Sequence, residues 1–239
     1  MNSIRLRLLA TFALAVVAVA PGATAAPVLF SGFDANNGPL PNSTAAFNSF
    51  VAALNVVGTD TIEATVGTPP ALTFGATGIT ATTSAGFVAA PPGLAVSPTK
   101  ALVAIGGQLA NGVLVNEVFT FNQVVNGFGS FFINVGDAAA NTVTFRLENT
   151  VSATSVDVIA AAMPGGAAAD NVFFAGVTDT APFNRLTVIV TNAGDGILYD
   201  NVTAGVVVPE PSALVLALLG TMAVFFIARR RKKSWPSTS

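Results

Sequence analysis

Three observations predict an antiparallel β-sandwich, an all-β domain with one short helix near its start. Apolar and polar residues alternate in short runs, turn residues separate the runs, and a single stretch carries helical spacing. Val143, Phe145 and Leu147 alternate with Thr144, Arg146 and Glu148, and Leu186, Val188 and Val190 alternate with Thr187, Ile189 and Thr191. Phe119 and Phe121 alternate in the same way with Thr120 and Asn122.

Further β-rich runs lie at 61–66, 71–74, 78–83, 101–105, 113–118, 128–135, 156–160, 172–177 and 197–207. Between them stand Pro69-Pro70, Ala90-Pro91-Pro92-Gly93, Gly136-Asp137 and Asn192-Ala193-Gly194-Asp195-Gly196, all of turn chemistry. Roughly ten short strands spaced in this way fit a sandwich better than α/β units. The helix is placed by Phe47, Phe50, Val51 and Leu54, which share one face, with Thr44 as its cap. It is expected to cover an end or edge of the sandwich. The Ala, Thr, Pro and Gly of 80–98 predict a long surface loop, and 160–169, broken at Pro164-Gly165-Gly166, predicts a connector. No repeat period is visible, which argues against a solenoid or propeller.

Both ends have a different character. Arg5 and Arg7 precede an apolar run, Leu8 to Ala20, which Pro21-Gly22 break; Ala23-Thr24-Ala25 then supplies a small-residue cleavage site. This predicts a signal peptide over 1–25, cut between Ala25 and Ala26. At the other end Val208, Pro209, Glu210 and Pro211 interrupt any preceding fold, because proline fixes φ and removes a donor. An uncharged stretch over 212–228 follows, then Arg229, Arg230, Arg231, Lys232 and Lys233. Ala213 to Ala228 as a helix would span roughly 24 Å, near the lower limit for a membrane crossing. The basic cluster would hold residues 234–239 on the cytoplasmic side. The domain proper is thus expected at 26–207, long enough for one real core.

Seven of the ten basic residues fall in the terminal segments. Between Ala26 and Val208 only Lys100, Arg146 and Arg185 stand against eleven acids. Such a surface repels nucleic acid and anionic lipid, so nucleic acid is not an expected partner. It would tolerate divalent cations or neutral sugars.

The chain has no His and no Cys. Ser-His-Asp and Cys-His catalysis in their usual forms are excluded, as are zinc sites on imidazole or thiolate. Gly106-Gly107 lacks the Lys-Ser/Thr ending of a phosphate loop. Carboxylate chemistry remains, with Glu117, Glu148 and Asp157 as candidate acids for a glycosidase pair. Glu117 and Glu148 occupy polar positions of alternating strands, where a solvated face is expected. With one Tyr and no Trp in 26–207, a sugar cleft lacks its stacking aromatics, and no catalytic residue is assigned.

No cofactor is expected beyond a structural calcium, for which Asp137, Asp195 and Asp200 supply hard oxygen ligands near the closing strands. The same residues also suit turns: Asp195-Gly196 as a hairpin, and Asp200-Asn201 with side-chain turn bonds. Phenylalanine makes up 18 of the 20 aromatics. Phe131-Phe132 and Phe173-Phe174 each send one ring to either side of a strand. Two rings therefore belong to the core, while the other two pack under a loop or stand exposed for a partner.

The order Pro209-Glu210-Pro211, apolar helix, basic stop resembles the PEP-CTERM sorting domain of bacterial exported proteins, over Val208 to about Lys233. The resemblance implies recognition by a membrane-embedded exosortase, cleavage near the motif, and release to the surface or extracellular polysaccharide of a bacterium with an outer membrane. A looser resemblance covers the body. Ala45–Leu54, Gly127–Asp137, Phe174–Val177 with Pro182-Phe183, and Asp195–Val202 are similar in pattern to elements of other PEP-CTERM ectodomains. That likeness implies a jelly-roll-like sandwich of the kind shared with carbohydrate-binding modules. The expected role is structural or adhesive, in or on extracellular polysaccharide. The alternatives are a carbohydrate-binding module with a specific glycan and a carboxylate-dependent glycoside hydrolase.

Overall fold

Two strands far longer than the usual 5–6 residues organise the protein. In the computed structural model these are β9, Glu117–Ile133, and β12, Val172–Val190. The structure describes residues 26–65, 69–84, 87–89, 95–103, 109–110, 113–114, 116–136, 140–163, 166–167, 170–191, 197–207 and 221–222. In chain order the other strands are β1 Val28–Asp34, β2 Val56–Asp60, β3 Ala71–Thr73, β4 Thr80–Thr83, β5 Phe87–Ala89 and β6 Ala101–Val103. They continue with β7 Leu109–Ala110, β8 Val113–Leu114, β10 Asn141–Asn149, β11 Thr154–Met163 and β13 Leu198–Val206. The α-helix α1 spans Pro41–Ala52.

Each long strand changes partners halfway. Val172–Thr178 of β12 lies between β1 and the second half of β9, whereas Leu186–Val188 lies between β10 and the first half of β9. The register breaks between Thr178 and Phe183 and again before Arg185. Pro182, which has no N–H for a ladder, sits in this irregular stretch. In β9, Gly127–Gly129 and Phe131–Ile133 pair with β13, while Phe119–Phe121 pair with β4. One antiparallel layer therefore reads β1-β12-β9-β13, with β2 and β6 on β13 and β5 on β6. The other reads β11-β10-β12-β9-β4-β3. β7 and β8 pair as a separate ribbon.

The layers face each other through aromatic side chains. Phe128 in the first layer meets Phe145 in the second edge to face, centroids 5.8 Å apart. Phe119 contacts Phe128 at 4.9 Å and Tyr199 at 5.9 Å. Each such pair adds about 0.5–1.5 kcal/mol to the burial of its area. Burial, and then the charge of nearby Glu117, push the Tyr199 hydroxyl well above its ordinary pKa.

Several sequence expectations need correction. Strands β1, β2, β5 and β7 were absent from the expected set; β4 and β5 lie within the 80–98 segment read as a loop. The run 61–66 is a turn through its described residues, because the Asp60 carboxylate accepts from Ile62 N–H at 2.8 Å and the Thr65 hydroxyl at 2.9 Å. Ile62 there adopts φ 67°. The runs around Phe119 and Phe128 are one strand, as are those at 172–177 and 186–190, since pairing continues across the bends. The expected connector at 160–169 begins as the end of β11.

The helix also starts earlier than expected. Pro41 takes the first helical turn, where its missing N–H costs nothing. Thr44 is no cap; its N–H already bonds to Leu40 C=O at 3.0 Å. The capping group comes from β1: the Asp34 carboxylate accepts from Asn42 N–H at 3.2 Å and Ser43 N–H at 2.8 Å. A negative charge there also complements the helix dipole.

Phe47, Phe50, Val51 and Leu54 turn toward the outer face of the first layer, as their spacing predicts. The paired phenylalanines divide accordingly. Phe132 and Phe173 enter the core between layers, and Phe131 and Phe174 join Phe50 in a second core beneath the helix. Phe47 stands 5.5 Å from both Phe131 and Phe174. The helix thus covers a face of the sheet, not an end.

Candidate functional site

Residues expected to direct sorting lie mostly outside the described residues: Ala25, Val208, Pro209, Glu210, Pro211, and Arg229, Arg230, Arg231, Lys232 and Lys233. The structure does show what leads into the motif. Strand β13 carries the chain to Val206 with β9 on one side and β2 on the other. Asn55 N–H then bonds to Val206 C=O at 2.9 Å. The segment that follows therefore departs from an interior strand of the sheet. Among the described residues, no helix is long and apolar enough to cross a membrane. The expected span, 212–228, is described only at Thr221 and Met222.

Of the three acids expected at a calcium site, Asp137 and Asp195 lie outside the described residues. Asp200 is fully buried in β13. Its Oδ2 accepts from Val96 N–H at 2.7 Å and Ser97 N–H at 2.6 Å, and its Oδ1 from Asn201 N–H at 2.6 Å. The last is the side-chain turn bond that the Asp200-Asn201 pair suits. Asn201 takes φ 47°, and the β13–β9 register slips between Asp200 and Thr203, so the acid sits at a bulge. Burial raises its pKa, and the three N–H bonds offset only part of that rise. No three His, Cys, Asp or Glu side chains converge as a metal-binding group among the described residues.

Of the candidate acids for hydrolysis, Glu148 and Asp157 share one face of the β10–β11 ladder, each held by an arginine, while Glu117 lies on β9. Asp157 on β11 stands opposite Arg146 on β10, and the guanidinium grips it with Nε–Oδ1 at 2.8 Å and Nη2–Oδ2 at 2.9 Å. That hydrogen-bonded pairing lowers the Asp157 pKa against the effect of burial. Glu148 stands opposite Arg185 of β12, 3.5 Å from its Nε, and accepts from the Thr187 hydroxyl at 3.3 Å. Glu117 corrects the sequence reading. It is 1 % exposed, on the inward parity of Phe119 and Phe121, and accepts from Ser84 N–H at 2.9 Å.

Sequence reasoning missed a carboxylate that organises the loop before β6. Glu63 accepts from the Thr99 hydroxyl at 2.6 Å, Thr99 N–H at 2.9 Å, Lys100 N–H at 2.7 Å and the Ser97 hydroxyl at 3.1 Å. The Thr99 hydroxyl and N–H, followed by Lys100 N–H, bring its pKa down to about 2. Lys100 Nζ reaches back to Glu63 C=O at 2.6 Å. The Ser97–Lys100 cluster of small polar residues beside the ectodomain's single lysine was the available signal.

Depressions mark the described surface. One, of about 250 Å³, is lined by Ala26, Leu147, Asn149, Ser155, Asp179 and Phe183, among others. Another, of about 450 Å³, is walled by Thr59, Asp60, Thr61, Thr65 and Thr73, among others. Asp60 is engaged there, since Thr73 N–H also donates to its Oδ2 at 2.6 Å.

No curated protein and no solved structure matches this chain. Residues 207–232 do match the PEP-CTERM protein-sorting motif, immediately after the strand that ends the sheet. The chain is therefore a PEP-CTERM protein with a β-rich ectodomain, of the kind that an exosortase sorts during export.

Proposed function

We propose that this protein is a structural or adhesive component of the cell surface or extracellular polysaccharide, delivered by cleavage of its sorting tail. Its ectodomain is a sandwich of jelly-roll type, and the terminal leader is removed during export. The observation that carries this reading is the junction at Val206–Val207: the sorting motif follows directly on a strand bonded on both sides. A load that reaches Val207 is borne by the sheet. The acids support a non-catalytic role, because Glu148 and Asp157 each face an arginine while Glu117 points into the interior.

The test follows the chain in cells with and without the exosortase. Loss of the tail and recovery of the ectodomain with extracellular polysaccharide, both only when the exosortase is present, are expected. Retention of the intact chain in the membrane of exosortase-positive cells would sink the proposal.

A further inference from the structure

We propose that cutting the chain between Ala25 and Ala26 creates an ion pair, in which the new α-ammonium of Ala26 seats against Asp179 and fastens the edge strand β1. The inference rests on the leader reading above.

The register of β1 on β12 places the two groups together. Val28 pairs with Thr178, so one step further sets Pro27 beside Asp179 and the next sets Ala26 beside Thr180. Ala26 and Asp179 line the same cleft of about 250 Å³. Asp179 is only 6 % exposed, a costly position for a carboxylate without a counter-charge. One of its oxygens accepts from Ala181 N–H at 2.9 Å; among the described residues no donor reaches the other.

The charge count makes the assignment sharper. The ectodomain has three basic residues, and all are engaged elsewhere: Arg146 with Asp157, Arg185 with Glu148, and Lys100 with the Glu63 carbonyl. Among the described residues, Asp179 is the one ionisable side chain lining the cleft, and β10, β11 and β12 contribute only neutral groups beside it. Before cleavage the Ala26 nitrogen is a neutral amide. Afterwards it is an amine with an ordinary pKa of about 7.7–8.0, charged at neutral pH. Processing therefore supplies the missing cation at the point where β1 begins. β1 carries the Asp34 cap of the helix at its other end, so fastening it also steadies α1.

The experiment uses the exported full chain, purified in detergent, with its first residue identified by mass spectrometry. The α-amine is titrated through its rate of reaction with an amine-selective reagent across pH, in the folded chain and again in urea. An opposite charge at contact distance predicts an upward shift of about one pH unit on folding. Asp179→Asn is expected to abolish the shift. Identical titration in the folded and unfolded wild type overturns the inference without any variant, and so does a shift that survives Asp179→Asn. A chain starting at Ala26 with an unshifted amine removes this inference alone. A chain starting elsewhere removes the leader reading with it.

Discussion

Gly129 of β9 and Gly176 of β12 stand directly opposite each other, and the ring of Phe50 from α1 lies over both. A Cβ on Gly176 would come within 2.8 Å of Phe50 Cδ2 and 3.0 Å of Phe174 Cζ; one on Gly129 would meet Phe174 Cζ at 2.9 Å. Gly127 and Gly205, also register partners, form the adjoining floor under Leu54. Four glycines on three adjacent strands thus let a helix lie close to a sheet whose other face is already packed.

Gly176→Ala should therefore destabilise the ectodomain by about 1–3 kcal/mol through overpacking. Phe50→Ala should cost about 3–5 kcal/mol, because it empties the same contact. Combined, the two should cost less than their sum, since the added methyl loses its closest clashes, with Phe50, and keeps only that with Phe174. Urea unfolding followed by circular dichroism measures all three, and strict additivity would contradict the glycine floor.

Asp34 gives a prediction with a defined pH window. Burial alone would raise its pKa, but the Ser43 and Asn42 donors outweigh that and lower it. A folded pKa below the unfolded value of about 3.9 means that the stabilisation is fully present above that value. It is lost as pH falls through the folded pKa. Asp34→Ala should cost about 1 kcal/mol at pH 7, the usual value of a helix cap. The gap from wild type should close below about pH 4. A gap unchanged at pH 2 would show that the acid works by packing and not by its charge.

The parity of a strand was legible in the sequence wherever one face was buried. It assigned Phe119, Phe121, Phe145 and Val188 inward correctly. The same parity applied two residues upstream would have put Glu117 inside, had residue type not been allowed to override position. β1 was illegible for the opposite reason. Its exposure is mixed along almost its whole length, so V-L-F-S-G-F-D has no clean alternation to read. The paired rings at 131–132 and 173–174 showed that two faces were apolar. What covers the second face depends on the glycine floor, a contact between segments more than seventy residues apart. The helix start was misplaced for a similar reason, because its capping acid lies on the preceding strand.

The turn joining β10 to β11 offers a stabilising change. Asn149 Oδ1 accepts from Val151 N–H at 3.0 Å and Ser152 N–H at 3.1 Å, which forces Ala153 to φ 55°. The left-handed region costs an ordinary residue roughly 1–2 kcal/mol, and glycine avoids this at an entropic cost of about 0.5–1 kcal/mol. Ala153→Gly should raise stability by roughly 0.5 kcal/mol, seen as a higher Tm. A lowered Tm would mean that the methyl group has a packing role the exposed turn does not suggest.

Glu63 and Asp200 hold the same loop, Val96–Lys100, and their pKa values move in opposite directions. Glu63 falls to about 2 because Thr99 and Lys100 donate to a solvent-accessible carboxylate. Its contribution is therefore complete above the unfolded value of about 4.3 and disappears as pH drops toward 2. Asp200 rises because burial dominates, so the fold prefers it protonated. Its ionisation removes stability as pH climbs from about 3.9 through the folded value. Measured against Glu63→Gln, the wild type should gain stability from pH 2 to 4.5. Against Asp200→Asn, it should lose stability from pH 4 upward. Hydrogen exchange gives the local check: in Glu63→Gln at pH 5 the Thr99 and Lys100 amides should lose protection, while Ser97, bonded to Asp200, should keep most of its own. Equal loss at all three would show that the two carboxylates act as one latch, with Asp200 unable to hold its half of the loop alone.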